Sequence, residues 1–168
     1  MRGIGIGSPG TIDAKQGVIL YSNNFGWENV PIVEELKKHL DTRIEIANDA
    51  DAAALGEVCA GAAEGAENAV LLTLGTGVGS GVILDKKIFR GAMPGGCELG
   101  HLSIRYDGIR CTCGRKGCLE AYASASALLR IAREKAAEHP ESIMNEMCGN
   151  DLEQMNGKIP FDAAKAGG

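Results

Sequence analysis

Residues 3–7 alternate glycine with isoleucine and predict a strand that closes in the turn Ser8-Pro9-Gly10. Residues 18–21 predict a second short strand, followed by a polar turn at 22–24 and the lone Trp27. Pro31 suits the first turn of a helix reaching about Leu40, with Ile32, Val33, Leu36 and Leu40 on one face. Residues 44–47 form a brief apolar run, and Asn48-Asp49 leads from it into an alanine-rich helix over about 50–62. Residues 69–74 predict another strand. It is interrupted by the glycine-rich run 75–81, resumes at 82–84 and turns back through 85–87 into Ile88-Phe89. After a loop at 91–96 and a cysteine-rich stretch, the pattern returns to a helical period from Glu120 to about Glu138, stopped by His139-Pro140. A short helix over 142–147 and a helix start at 163–168 complete the prediction. Strands alternating with helices place the chain in the α/β class.

Composition narrows the picture. At 168 residues, 45% hydrophobic and 23% charged, the chain is globular and long enough to bury a core. A net charge of −5 without a basic stripe argues against a nucleic-acid partner. No apolar run reaches membrane-spanning length, and Met1-Arg2 followed by a Gly/Ile alternation is not a secretory signal, so a cytoplasmic protein is expected. In a reducing compartment the six cysteines are not a disulfide framework. Cys59 and Cys148 read as buried or incidental thiols, and Cys97 lies outside the tight spacing.

Candidate chemistry concentrates in the stretch 98–120. Cys111, Cys113 and Cys118 fall within eight residues, with His101 ten residues upstream. Three thiolates and an imidazole are a zinc ligand set, and Gly114 and Gly117 permit the turns that would gather them on one ion. Four protein ligands leave no open position, so the zinc is expected to be structural and to leave the second ring nitrogen of His101 for another partner. The alternative is a set of unrelated reduced thiols beside a core histidine. The run 75–81 could bring backbone N–H groups to phosphate oxygens, with hydroxyls from Thr76 and Ser80; a tight turn needing positive φ explains it about as well. Asp49 could act as a general base, or simply cap the following helix. Asp51 reads as a first-turn carboxylate on another face. Glu98 and Glu120 bracket the metal stretch.

These pieces together resemble the ROK family of sugar kinases and repressors, and within it the bacterial glucokinases. The resemblance rests on Gly5-Ile6-Gly7-Ser8-Pro9-Gly10, on Asn24 with Gly26-Trp27, and on Ala47-Asn48-Asp49-Ala50-Asp51-Ala52-Ala53-Ala54. The glycine run from Leu74 to Gly81, Gly95-Gly96-Cys97-Glu98-Leu99-Gly100-His101 and Cys111-Thr112-Cys113-Gly114 to Gly117-Cys118-Leu119-Glu120 complete it. It implies part of an actin-like ATPase (ribonuclease H-like) fold, with 1–47 finishing an N-terminal lobe and 48–168 opening the larger C-terminal lobe, zinc loop 98–120 included. It implies ATP-dependent phosphorylation of a hexose, glucose first, with Asp49 as the base on the sugar's 6-hydroxyl. Asn48, Asp49, Glu98, His101 and Glu120 would bind the sugar, and Gly75, Thr76 and Gly77 would face the ATP phosphates. Magnesium would accompany ATP, and zinc would be held by His101, Cys111, Cys113 and Cys118.

Partners are then the hexose and ATP, with a homodimer expected and neither nucleic acid nor membrane. The family's Asp-x-Gly-Gly-Thr phosphate loop is not seen ahead of Gly3, nor its adenosine-binding glycines by Gly168. The chain therefore reads as a central kinase fragment with little or no turnover of its own. Ser80 stands where many relatives carry glycine. Sugar-responsive repressors of the same superfamily, and a non-catalytic zinc-stabilised sugar-binding fragment, are the competing readings. Because the repressors often lose the catalytic aspartate, Asp49 favours the enzyme.

Overall fold

The computed structural model describes residues 3–93, 95 and 97–167. Contacts gather these residues into two compact units, Met1–Thr73 with Gly79–Leu99 and Leu74–Val78 with Gly100–Gly168.

In the first unit, β1 (Ile4–Ser8) pairs in parallel with β5 (Ile44–Asn48), in register from Ile4 opposite Ile44 to Ser8 opposite Asn48. A parallel pair needs a crossover. Here it consists of an antiparallel meander, β2 (Thr11–Asp13), β3 (Val18–Ser22) and β4 (Trp27–Val30), followed by helix α1 (Ile32–Lys37). The alternation along these strands turns Ile12, Ile19 and Ile46 inward, with Ile6, Val30, Ile32 and Val33 packed against them. Strands β2 and β4 escape the sequence reading because Thr-Ile-Asp and Trp-Glu-Asn-Val are short and largely polar. Helix α1 ends three residues before the expected Leu40, which is exposed.

Strand β5 runs directly into α2 (Asp49–Ala60), whose buried Ala50, Ala54 and Val58 recur at helical spacing. They face a third sheet ordered β6 (Ala69–Leu74), β7 (Val78–Leu84) and β8 (Lys87–Ile88). Ala54, Val58 and the fully buried Ile83 make its core, with Ala63, Ala69, Leu71 and Ile88 around them. Asp85 and Lys86, with φ of 50° and 60°, make the tight turn between β7 and β8. At the outer edge of this sheet, Val70, Leu72 and Leu74 of β6 are 61%, 43% and 66% exposed.

Among the described residues, the second unit holds the tip of the β6–β7 hairpin, the cysteine-rich loop and four α-helices. These helices are α3 (Glu120–Ala123), α4 (Ala125–Glu138), α5 (Ile143–Met147) and α6 (Ile159–Lys165). The single helix expected after Glu120 is two helices. Ser124 is extended (φ −78°, ψ 164°) and its hydroxyl accepts from Ala127 N, which starts α4 afresh. The last helix begins at Ile159, earlier than the alanine run suggested, with Pro160 in its first turn. Ala132, Ala136, Cys148, Met155 and Ile159 form this unit's core. Cys148 is therefore a buried core thiol, whereas Cys59 is exposed.

Candidate functional site

Two groups of predicted site residues take shape, one in each unit. In the first, the junction of β5 and α2 sets Asn48 and Asp49. Asn48 is the N-cap: its Oδ1 accepts from Ala50 N at 2.9 Å and Asp51 N at 3.2 Å, while its Nδ2 donates to Gly10 O at 3.1 Å. The capping role considered for Asp49 thus belongs to its neighbour. Asp49 is the first residue of the helix proper, exposed, with Oδ1 accepting from Ala50 N at 3.0 Å. Two residues on, Asp51 is buried at 8% exposure and accepts from Arg90 Nε at 2.9 Å, a partnership not evident from the sequence.

A small cavity of about 30 Å³ opens beside this junction, lined by Gly10, Asn48, Asp51, Arg90, Cys97 and Glu98 among others. That is room for a water molecule. Burial raises the Cys97 thiol pKa above its ordinary value, and the nearby charges of Asp51 and Glu98 push it the same way. Ser80, also buried, lines the cavity too: its hydroxyl donates to Cys97 O and accepts from Leu99 N, each at 2.8 Å.

The glycine run divides in two. Only 75–77 turn, and Gly79 and Gly81 belong to β7. None of these glycines has positive φ, so the left-handed-turn explanation fails. A Cβ on Gly81 would sit 2.5 Å from Ala50 O and from the Ala54 methyl, so this glycine exists to seat α2 on the strand. The phosphate-cradle expectation therefore shrinks to Gly75, Thr76 and Gly77.

In the second unit that turn is strapped to the start of α4. Gly75 O accepts from Ala125 N at 2.8 Å and Thr76 O from Ser126 Oγ at 2.9 Å. Glu120 braces the other side, its Oε2 accepting from Val78 N at 3.0 Å, and a Cβ on Gly77 would collide with that oxygen. The other carboxylate oxygen accepts from the Thr112 hydroxyl at 3.2 Å and lies 4.0 Å from His101 Nδ1. Glu120 therefore touches both the glycine turn and the cysteine loop.

The ligand atoms of His101, Cys111, Cys113 and Cys118 all lie within 4.8 Å of one another. Cys113 Sγ is 3.6 Å from Cys118 Sγ, and Cys111 Sγ is 3.6 Å from His101 Nδ1. A tetrahedral zinc with bonds of about 2.3 Å to sulfur and 2.0 Å to nitrogen needs spacings of about 3.8 and 3.5 Å, so the cage fits the ion. At these separations the cysteines are free thiols in the structure. Gly114 and Gly117, with φ of 88° and 72°, make the expected turns, and the Arg105 carbonyl occupies the place a Gly117 Cβ would need. Hydrogen bonds from Arg115, backbone first, lower the Cys113 thiol to about 6, whereas burial raises Cys118 to about 11. Imidazole Nδ1 faces the thiols, which turns Nε2 away from them.

Among the described residues, no helix is long and apolar enough to cross a membrane. The ROK family model matches residues 1–158. The glucokinase of Thermotoga maritima is 42% identical over 98% of this chain and 52% of its own length. The xylose repressor of Bacillus subtilis is 35% identical over 92% of this chain and 40% of its own. The crystal structure of a ROK family glucokinase from Streptomyces griseus in complex with glucose and AMPPNP superposes with a TM-score of 0.82 at 34% identity. It covers 99% of this chain and 54% of that one. The chain thus spans about half the length of the curated relatives it matches. Its mixed α/β architecture is that of the ROK sugar kinases, which have the actin-like ATPase fold. From the β5–α2 junction to the cysteine cage, with the family model over 1–158, this chain belongs to the ROK family.

Proposed function

We propose that the chain carries the sugar-binding and base-bearing part of an ATP-dependent hexose kinase, with glucose as substrate. The observation that carries this reading is Asp49, exposed at the head of α2 while Asn48 does the capping. Its carboxylate takes the proton of the sugar's 6-hydroxyl. O6 then forms its bond to the γ-phosphorus of ATP, and the bond to the β–γ bridging oxygen breaks to release ADP. Asn48, Glu98, His101 and Glu120 hold the sugar hydroxyls, and Gly75, Thr76 and Gly77 face the phosphates. Glu120 already accepts from Val78 N and Thr112, yet a carboxylate has about four acceptor positions and keeps capacity for a sugar hydroxyl. Magnesium, when bound with ATP, neutralises phosphate charge.

His101, Cys111, Cys113 and Cys118 would hold a structural zinc, which leaves His101 Nε2 to face the sugar. In this reading residues 1–47 finish one lobe and 48–168 open the next, two copies assemble, and the protein works in the cytoplasm. Similarity to a xylose repressor supports a second reading, a sugar-responsive regulator; the retained Asp49 favours the kinase.

Calorimetric titration of this chain with glucose, as wild type and Asp49→Asn, and a coupled ATP assay of the same substitution in a full-length kinase version test the proposal. Glucose affinity should stay within about threefold, while turnover falls by about a hundredfold or more. Turnover that survives the substitution removes Asp49 from the role of base. Absence of glucose binding to the wild type overturns the sugar reading.

A further inference from the structure

We infer that Ser80 and the Asp51–Arg90 pair are positioning residues that fix the carboxylate of Glu98 relative to the head of α2. The inference rests on the proposal that Glu98 contacts a sugar, and it concerns only residues of the first unit. Glu98 follows β8 by a run whose described members Gly91, Ala92, Met93 and Gly95 are exposed. These described members are open to solvent.

Both ends of the run are tied down instead. At its start, Arg90 donates from Nε to Asp51 Oδ2 at 2.9 Å, and the Asp51 side chain is only 11% exposed. A first-turn helix carboxylate with no such task would normally face water. At its end, Ser80 Oγ donates to Cys97 O and accepts from Leu99 N, bridging the two residues on either side of Glu98. Accepting the Leu99 N–H and donating to the Cys97 carbonyl fixes the hydroxyl in one orientation.

Both anchors refer to the same base. Asp51 lies in the first turn of α2, two residues beyond Asp49. Ser80 stands on β7 between Gly79 and Gly81, the glycines over which Ala50 and Ala54 of α2 are seated. Glu98 is thereby referenced to the helix end that carries Asn48 and Asp49. The Leu99 amide also donates to the Cys97 carbonyl at 3.0 Å, and a glycine at position 80 would leave the two groups with that bond alone, so the serine adds constraint to the segment.

The test uses the chain with Ser80→Ala, Asp51→Asn, Glu98→Gln and the double variant S80A/E98Q. Amide exchange followed by NMR should show Leu99 N–H exchanging about tenfold faster in S80A at an unchanged melting temperature. Glucose affinity by calorimetry should fall about tenfold in S80A and by a similar factor in D51N, with no further fall when S80A is added to E98Q. Two results overturn the inference: Leu99 exchange unchanged in S80A, or an S80A loss that persists in the E98Q background, as general loosening would give. If wild type binds no glucose, the sugar reading fails and the Leu99 exchange alone decides whether Ser80 anchors the segment.

Discussion

Asn48 and Asp49 sit side by side at one helix start and do different work. Asn48 satisfies two orphan amides of α2 and ties the helix to Gly10, while Asp49 keeps an exposed carboxylate. Asn48→Ala should therefore lower stability by about 1–2 kcal/mol, and Asp49→Asn by less than about 1 kcal/mol, in urea unfolding. Equal losses would contradict this division of labour. The adjacent pair was legible in the sequence because neighbours at a strand–helix junction signal themselves. Which of them caps was not, since aspartate and asparagine cap about equally well. Asp51 with Arg90, and Ser80 with Cys97 and Leu99, were illegible for a different reason. Their partners lie 39, 17 and 19 positions apart, and only folding reveals them.

At the scale of elements, α2 rests on β7 because glycine leaves the space. Gly81→Ala would place a methyl 2.5 Å from Ala50 O and Ala54 Cβ, neither of which can swing away. It should cost about 1–3 kcal/mol, read from thermal or urea unfolding. A neutral result would mean that the helix is not seated on this strand. Sequence pattern marked 75–81 as one glycine loop because periodicity cannot separate glycines that turn a chain from glycines that admit a neighbour. Ser124 is a similar case: the alanine-rich period runs through it, and only its extended backbone and its bond to Ala127 N reveal the break. The cysteine loop was the most legible element, since its ligands and turn glycines are close in sequence and their chemistry is narrow. Zinc binding near pH 7 should release protons, because Cys118, held up at about 11, must become a thiolate to ligate. Below about pH 6 the metal-free Cys113 is protonated as well, so each zinc bound there should release a further proton and binding should weaken as pH falls. Zinc titrations in buffers of different ionisation enthalpy measure the release; equal heats in all buffers would rule it out.

For the whole molecule, removal of the proposed zinc would be the broadest lever. Chelation should lower the melting temperature by several degrees and loosen Glu120, which touches both Thr112 of the cysteine loop and Val78 beyond the glycine turn. Calorimetric melting with and without chelator checks the first effect, and exchange of the Val78 amide the second. A Val78 amide that does not respond would show that the turn is independent of the metal. Strand β6 has another consequence, in how the chain behaves at high concentration. Its uncovered valine and leucines lie along a sheet margin, which makes it a template for adding strands from neighbouring molecules. Light scattering should rise with concentration and fall again in Val70→Lys, a charge placed where an incoming strand would have to dock.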